Sequence, residues 1–170
     1  MIILGLGSNL PSKYGDRFAN INLAISSLES YGIKVIKRSS FYKSPSYPDK
    51  ENPEFINVVI LVETYLPPVD LMSVLTFIEE KLERKRIKKN DPRTCDIDII
   101  DYNSQILNLK YNNLGFTVPH KELASRNFVL FPLREISPMW KHPKTKETIN
   151  NLIQKLNEEE KNSILKIDNN

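Results

Sequence analysis

The sequence has little of what secreted and membrane proteins depend on. It contains one cysteine, Cys95, among 170 residues, so it cannot form an internal disulfide. No apolar run approaches the roughly 18 residues of a membrane span, and the first residues lack the basic segment of a signal peptide. These absences exclude a disulfide scaffold and predict a cytoplasmic protein with no membrane partner.

Two further features of the composition restrict the possible classes of protein. The chain has 5 glycines and no Gly-x-x-x-x-Gly-Lys-Ser/Thr segment, so it is not a P-loop enzyme. A net charge of +3 is too small to indicate nucleic acid by itself. With 170 residues, 40% hydrophobic and 26% charged, the chain is typical of one folded domain spanning 1–170. Because no extra apolar surface is evident, we expect a monomer.

Hydrophobic periodicity predicts an α+β fold. Strands rich in β-branched and aromatic residues are expected at 2–6, 35–42, 55–63 and 94–102. One helix is expected to end near Gly32 and a second to begin at Pro67-Pro68. The order β-α-β-β-α-β is that of a ferredoxin-like sandwich, a largely antiparallel sheet with helices on one face. A C-terminal helical extension should follow, with a helix near 149–156 and a frayed tail after about 157.

Two aspartates in the last of these strands are the strongest functional signal. Asp96 and Asp98 are two residues apart, so their side chains share one face and lie about 7 Å apart. Oxygen ligands of this kind suit Mg²⁺, which takes one or two carboxylates together with substrate phosphates. The alternative is a pair of solvent-facing aspartates, against which Ile97 and Ile99 mark the strand as buried.

A basic segment precedes this strand. Its cations are Lys81, Arg84, Lys85, Arg86, Lys88, Lys89 and Arg93. Three of them, Arg84, Arg86 and Arg93, bracket the acidic pair, and phosphoryl transfer uses arginines to stabilise charge on the transferred group. A solvated helix end, with cations favoured by the helix dipole, is the alternative interpretation.

Other candidates carry weaker signals. The segment 5–10 joins a strand to a helix, where glycine permits close approach, although an ordinary turn and cap would look the same. His120 fits a nucleotide contact or a structural role, and Phe55 and Phe128 fit core aromatics. Asn57, within a buried strand, needs either buried partners or a ligand.

Seven segments together resemble 6-hydroxymethyl-7,8-dihydropterin pyrophosphokinases of folate biosynthesis, in order and in spacing. They are GSNL at 7–10, SSFYKSP at 39–45, FIN at 55–57, IE at 78–79, RKR at 84–86, PRTCDID at 92–98 and VPH at 118–120. The resemblance runs from about Gly5 to Pro138, which is most of the chain.

This resemblance implies Mg²⁺-dependent transfer of the terminal diphosphate of ATP to the hydroxymethyl group of the dihydropterin, with release of AMP. Asp96 and Asp98 would hold two Mg²⁺ ions, and no covalent intermediate is expected. The catalytic set it implies is Arg84, Arg86, Arg93, Asp96 and Asp98. The ATP-binding set is Glu79, Arg84, Arg86, Arg93, Thr117, His120, Lys121 and Arg126. The pterin-binding set, with the flat ring between the two phenyl rings, is Ser44, Pro45, Ser46, Tyr47, Phe55, Asn57, Asp96 and Phe128.

Two other classes of protein fit parts of the pattern. A nucleic-acid-binding module can share the same order of elements, but the aromatic-rich RNP1 motif is absent and strand carboxylates would repel a polyanion. We therefore expect no nucleic-acid partner. An inactive relative kept as an interaction protein is disfavoured because carboxylates, arginines and His120 are retained together.

Overall fold

The computed structural model describes residues 1–46, 49–85 and 91–167. The strands are β1 (Ile2–Ser8), β2 (Lys34–Arg38), β3 (Phe41–Ser44), β4 (Phe55–Glu63), β5 (Asp96–Tyr102), β6 (Leu107–Tyr111), β7 (Leu114–Val118) and β8 (Leu165–Ile167). The helices are α1 (Arg17–Glu29), α2 (Pro68–Lys81), α3 (Asn127–Ile136), α4 (Ile149–Lys155) and α5 (Glu158–Asn162), with a short 3₁₀ helix at Leu123–Ser125. Among the described helices none is long and apolar enough to cross a membrane.

The main sheet has the order β5-β1-β4-β3-β8, and β2 pairs with β4 beside β3. Each of its described pairings is antiparallel. The elements β1, α1, β2 with β3, β4, α2 and β5 follow the predicted β-α-β-β-α-β order, which confirms the ferredoxin-like α+β fold. The central position of β1 brings the ends of β4 and β5 together.

Helices cover both faces of the sheet: α1 and α2, the helices of the β-α-β-β-α-β order, lie on one face as predicted, and helices of the C-terminal extension lie on the other. On one face α1 and α2 bury residues such as Leu28 and Leu75. On the other, α3 and α4 pack residues such as Leu130 and Ile153 over Ile3 and its neighbours. The strands are apolar on both faces, so both must be covered to remove that surface from water.

The predicted strand 35–42 is two strands, separated at Ser39 and Ser40. The Ser39 hydroxyl accepts the backbone N–H of Val59 at 3.1 Å, and the Ser40 N–H donates to Glu135 at 3.1 Å. The Ser39 N–H still donates to Val59 O at 3.0 Å, but side-chain oxygens accept the N–H groups of Val59 and Ser40, which lets the chain bend between β2 and β3. The sequence also gave no prediction of the β6–β7 hairpin, whose two-residue turn places Asn112 and Asn113 at φ 48° and 62°.

The tail after Asn157, predicted to fray, is ordered through Ile167. Asn157 and Glu160 form a capping box that begins α5, and β8 then pairs with β3. The tail is ordered because β8 forms hydrogen bonds with the edge of β3, which is distant in sequence, and the polar composition of the tail does not indicate this pairing. The helix expected near 149–156 is confirmed as α4.

Truncation of a core side chain should destabilise the protein strongly. Leu75 is 0% exposed and Leu114 is 66% exposed. We expect Leu75→Ala to lower the free energy of unfolding by about 2–5 kcal/mol, because it removes buried methyl groups and leaves a cavity. Leu114→Ala should change it by less than about 0.5 kcal/mol. Urea denaturation followed by circular dichroism measures both, and equal effects would contradict the assignment of the core.

Candidate active site

The two aspartates lie on the face of the sheet that α3 and α4 cover. Asp96 on β5 lies opposite Gly7 on β1, and Gly7 lies opposite Asn57 on β4. Paired residues of antiparallel strands direct their side chains to the same face. A β-carbon at Gly7 would stand 3.3 Å from Asn57 Oδ1 and 3.4 Å from a ring carbon of Phe55. Gly7 has no side chain, and Asn57 Oδ1 and the Phe55 ring border the bare backbone between Asn57 and Asp96, which we call the depression.

Asp96 is held between two arginines. Its Oδ1 lies 2.6 Å from Arg84 Nη1, and its Oδ2 accepts from Arg93 Nε and Nη2 at 2.8 Å each. Arg84 also pairs with the buried Glu79, whose Oε1 accepts the Ile97 N–H at 2.7 Å. Burial would raise the pKa of Asp96, but the charges of Arg84 and Arg93 outweigh it, so that pKa is lowered. Asp96 is thus ionised and its two oxygens have fixed directions.

Asp98, two residues further along β5, has a different electrostatic environment. Its Oδ2 lies 3.3 Å from Arg126 Nη1, and Arg126 also pairs with Glu122 at 2.5 Å. Burial and the neighbouring Asp96 carboxylate raise the pKa of Asp98, against the opposing charge of Arg126. The arginines therefore leave negative charge uncompensated at Asp98, which favours binding of a cation.

The predicted nucleotide residues after β7 lie beside the end of β5. The backbone N–H of His120 donates to Ile100 O at 3.3 Å, and His120 Nδ1 accepts the Glu122 N–H at 3.2 Å. Burial lowers the pKa of His120, so the imidazole is neutral near pH 7 with its proton on Nε2. Thr117 is half-buried on β7 and Lys121 is exposed.

The two predicted pterin aromatics each carry an arginine on the ring face. The guanidinium carbon of Arg93 lies 5.0 Å from the Phe55 ring centroid, and that of Arg126 lies 5.5 Å from the Phe128 centroid. Both rings are half-buried. Because the same arginines pair with the two aspartates, the rings and the carboxylates form one connected set.

Asn57 directs its amide nitrogen away from the depression. Its Nδ2 donates to Tyr42 O at 3.3 Å and to Ser44 Oγ at 3.0 Å. Its Oδ1 is the Asn57 atom closest to where a β-carbon would stand at Gly7. The buried amide has the protein partners it requires, and its carbonyl oxygen remains as an acceptor at the edge of the depression.

The remaining predicted pterin residues lie at the end of β3. Ser44 is opposite Phe55 on β4, Pro45 is half-buried and Ser46 is 3% exposed. Tyr47 and Arg86, which belong to the predicted pterin and catalytic sets, lie outside the described residues.

Sequence reasoning missed the role of Asn9. Its Oδ1 accepts the Arg93 N–H at 2.7 Å, and Arg93 O accepts the N–H groups of Asn9 and Leu10 at 3.0 and 3.1 Å. Asn9 Nδ2 donates to Pro53 O at 3.1 Å. Asn9 therefore fixes the backbone of Arg93 beside the end of β1. The sequence offered only a turn signal, because the partner is 84 positions away.

The acidic pair fits Mg²⁺ on the chemistry of its donors. In the described ranges 1–46, 49–85 and 91–167, no group of three or more His, Cys, Asp or Glu residues could hold a metal ion. Two carboxylates without histidine or thiolate match a Mg²⁺ site completed by substrate phosphates and water, and do not match a structural zinc site.

Comparisons with known proteins agree with this geometry. The family model described as 7,8-dihydro-6-hydroxymethylpterin-pyrophosphokinase (HPPK) matches residues 3–138. A 2-amino-4-hydroxy-6-hydroxymethyldihydropteridine pyrophosphokinase from Synechocystis is 36% identical over 91% of this chain and 75% of its own length. An Aquifex aeolicus protein of the same name is 35% identical over 84% of this chain and 83% of its own.

Longer relatives contain the same fold as one part of a larger chain. The crystal structure of Plasmodium falciparum HPPK-DHPS superimposes with a TM-score of 0.72 at 18% identity, covering 91% of this chain and 40% of that one. The folic acid synthesis protein fol1 of Pneumocystis carinii is 36% identical over 91% of this chain, which spans 20% of its length. The match over residues 3–138 and the identity to relatives of similar length place this chain in the 7,8-dihydro-6-hydroxymethylpterin-pyrophosphokinase family.

Proposed function

We propose that the depression between Asn57 and Asp96 binds the pterin and that Asp96 and Asp98 hold two Mg²⁺ ions with ATP. Family membership makes the chain an ATP-dependent diphosphotransferase. It transfers diphosphate from ATP to the hydroxymethyl group of 6-hydroxymethyl-7,8-dihydropterin, giving AMP and the dihydropterin diphosphate in tetrahydrofolate biosynthesis. The observation that carries the site proposal is the row of Asn57, Gly7 and Asp96 across three strands.

Mg²⁺ bound by the two aspartates would neutralise phosphate oxygens and orient the attacking hydroxyl. The arginines that pair with the aspartates in this structure would neutralise the remaining negative charge of the phosphates. Arg84 and Arg93 on Asp96, and Arg126 on Asp98, lie within ion-pair distance of the metal ligands. On nucleotide binding they would exchange a carboxylate for phosphate oxygens, which also accept charge-assisted hydrogen bonds from guanidinium groups. Glu79 would act by holding the Arg84 guanidinium group in position through their ion pair.

The pterin would lie between Phe55 and Phe128. A flat ring gains contact area and orientation from stacking on two phenyl faces. Asn57 Oδ1 can accept a hydrogen bond from a ring N–H or amino group, and Gly7 leaves the room for the ring edge. The pterin's hydroxymethyl group would then face Asp96. This arrangement places the nucleophile beside the metal ligands, and positioning supplies much of the rate in transfers of this kind.

We also propose that the protein acts as a cytoplasmic monomer with one domain over 1–170, as composition and the single cysteine predict. Analytical ultracentrifugation tests the oligomeric state. A stable dimer at micromolar concentration would contradict it.

The reaction products test the proposed reaction directly. Incubation of the protein with ATP, Mg²⁺ and hydroxymethyldihydropterin should yield AMP, because the hydroxyl attacks the β-phosphorus, takes up the diphosphate group and displaces AMP as the leaving group. Chromatography of the nucleotides separates AMP from ADP. Formation of ADP would indicate ordinary kinase chemistry, and the absence of any product would contradict the activity.

Removal of one aspartate should abolish turnover without unfolding the protein. We expect Asp98→Ala to lower kcat by roughly 10³-fold or more and to eliminate Mg²⁺-dependent nucleotide binding, because one of two metal ligands is lost. Asp70→Ala, which removes an exposed carboxylate on α2, should leave both unchanged. Calorimetric titration with a non-hydrolysable ATP analogue measures binding. Near-wild-type AMP production by Asp98→Ala would contradict the metal assignment.

Loss of one aromatic wall should weaken pterin binding selectively. We expect Phe128→Ala to raise the KM for the dihydropterin by about ten-fold or more, because a stacking face is removed, with a smaller change in the KM for ATP. Phe77→Ala, on the other face of the molecule and 43% exposed, is the control. Thermal unfolding of both variants excludes a general loss of structure, and an unchanged pterin KM would contradict the placement of the ring.

A further inference from the structure

Residues 158–167, which form α5 and β8, contact both sides of the proposed pterin site. We call them the C-terminal brace. They lie beyond residues 3–138, which the family model matches. One side of the site is the paired end of β3 and β4, which carries Ser44, Phe55 and Asn57. The other side is the first turn of α3, which carries Phe128.

The brace reaches the first side through strand pairing. β8 pairs with β3, with Lys166 opposite Tyr42 and Leu165 opposite Lys43. The same residue, Tyr42, supplies the backbone carbonyl that accepts from Asn57 Nδ2. β3 is thereby held between β4 and β8, and its ladder to β8 fixes the backbone against which the Asn57 amide is oriented.

On the second side, the brace forms hydrogen bonds with the side chain of Asn127. Asn127 Nδ2 donates to Glu160 O at 2.6 Å and to Ser163 Oγ at 3.0 Å. Both partners belong to the brace, and Ser163 Oγ in turn donates to Glu160 O at 3.1 Å. Asn127 is the first residue of α3, directly between Arg126 and Phe128. Because Asn127 adjoins both residues, its hydrogen bonds connect the brace to Arg126, which pairs with Asp98, and to Phe128, which belongs to the proposed pterin site.

Two further links join the same sides. Glu135 on α3 accepts a hydrogen bond from the Tyr42 hydroxyl at 2.8 Å and lies 3.6 Å from Lys166 Nζ. Lys50, in the segment between β3 and β4, pairs with Glu159 at 2.5 Å. The Lys50 pair is exposed and contributes little by itself. The two part-buried hydrogen bonds of Asn127 are the stronger coupling.

We infer that Asn127 is a positioning residue for pterin recognition. Through the brace it sets the separation of Phe128 from the β3–β4 end, and so the width of the slot into which the ring fits. This inference rests on the proposed pterin site. If the brace only stabilised the fold, loss of the Asn127 hydrogen bonds would lower the unfolding temperature without changing discrimination between the two substrates.

The test is the steady-state kinetics of the full chain carrying Asn127→Ala or Asn127→Asp, at a temperature well below unfolding. Asn127→Asp keeps the size of the side chain but removes the Nδ2 donor. We expect both variants to raise the KM for the dihydropterin about ten-fold, with the KM for ATP and kcat within about three-fold of wild type, because one well-formed buried hydrogen bond corresponds to roughly that factor. Asn151→Ala, an exposed asparagine on α4, is the matched control and should change nothing.

A second variant keeps the inference testable if the Asn127 variants do not fold. Ser163→Ala removes one acceptor of Asn127 and should raise the pterin KM by a smaller factor, about three-fold. An unchanged pterin KM with a lowered unfolding temperature would overturn the inference, as would equal increases of both KM values. Failure of the wild-type protein to form AMP would instead contradict the proposed function itself.

Discussion

Two carboxylates on one face of a buried strand repel each other, and the rest of the site compensates for that repulsion. At Asp96 the compensation comes from two guanidinium groups and lowers the carboxyl pKa. At Asp98 burial and the Asp96 charge outweigh a single arginine at 3.3 Å, and the carboxyl pKa is raised. An unequal pair of this kind favours binding of cations and, with them, a polyphosphate.

Two of these arginines contact aromatic rings as well as carboxylates. Arg93 lies over Phe55, and Arg126 lies over Phe128. Each guanidinium therefore links the acidic row to one aromatic wall. Under the proposed function, a nucleotide that draws these guanidinium groups toward its phosphates would also uncover the faces of the two rings. Occupancy of the proposed phosphate site and access to the proposed ring site would then depend on the same two side chains.

Most of the fold could be predicted because its signals are local. Apolar periodicity, Pro67 before α2 and Gly32 after α1 all act over one or two turns of chain. The features that could not be predicted depend on partners far away in sequence. Ser39 divides a strand because its hydroxyl meets Val59, and β8 is ordered because it finds the edge of β3.

The same distinction applies to the site. The spacing of Asp96 and Asp98 is visible in the sequence, and the structure places both on one face beside Arg84, Arg93 and Arg126. Gly7 carried only the signal of a strand-to-helix junction where glycine permits close approach, and Asn127 carried none. The space above Gly7 exists only because β1 lies between β4 and β5 in one particular register. Asn127 matters only because residues 160 and 163 return to it.

The three-residue strand β8 also bears on how the molecule behaves toward other chains. Without it, the outer edge of β3 would present unpaired N–H and C=O groups to solvent, and such edges recruit strands from neighbouring molecules. β8 occupies that edge with a segment too short to offer a long template of its own, and Lys166 places a charge on it. The end of the described chain thus protects the sheet against edge-to-edge self-association at high concentration.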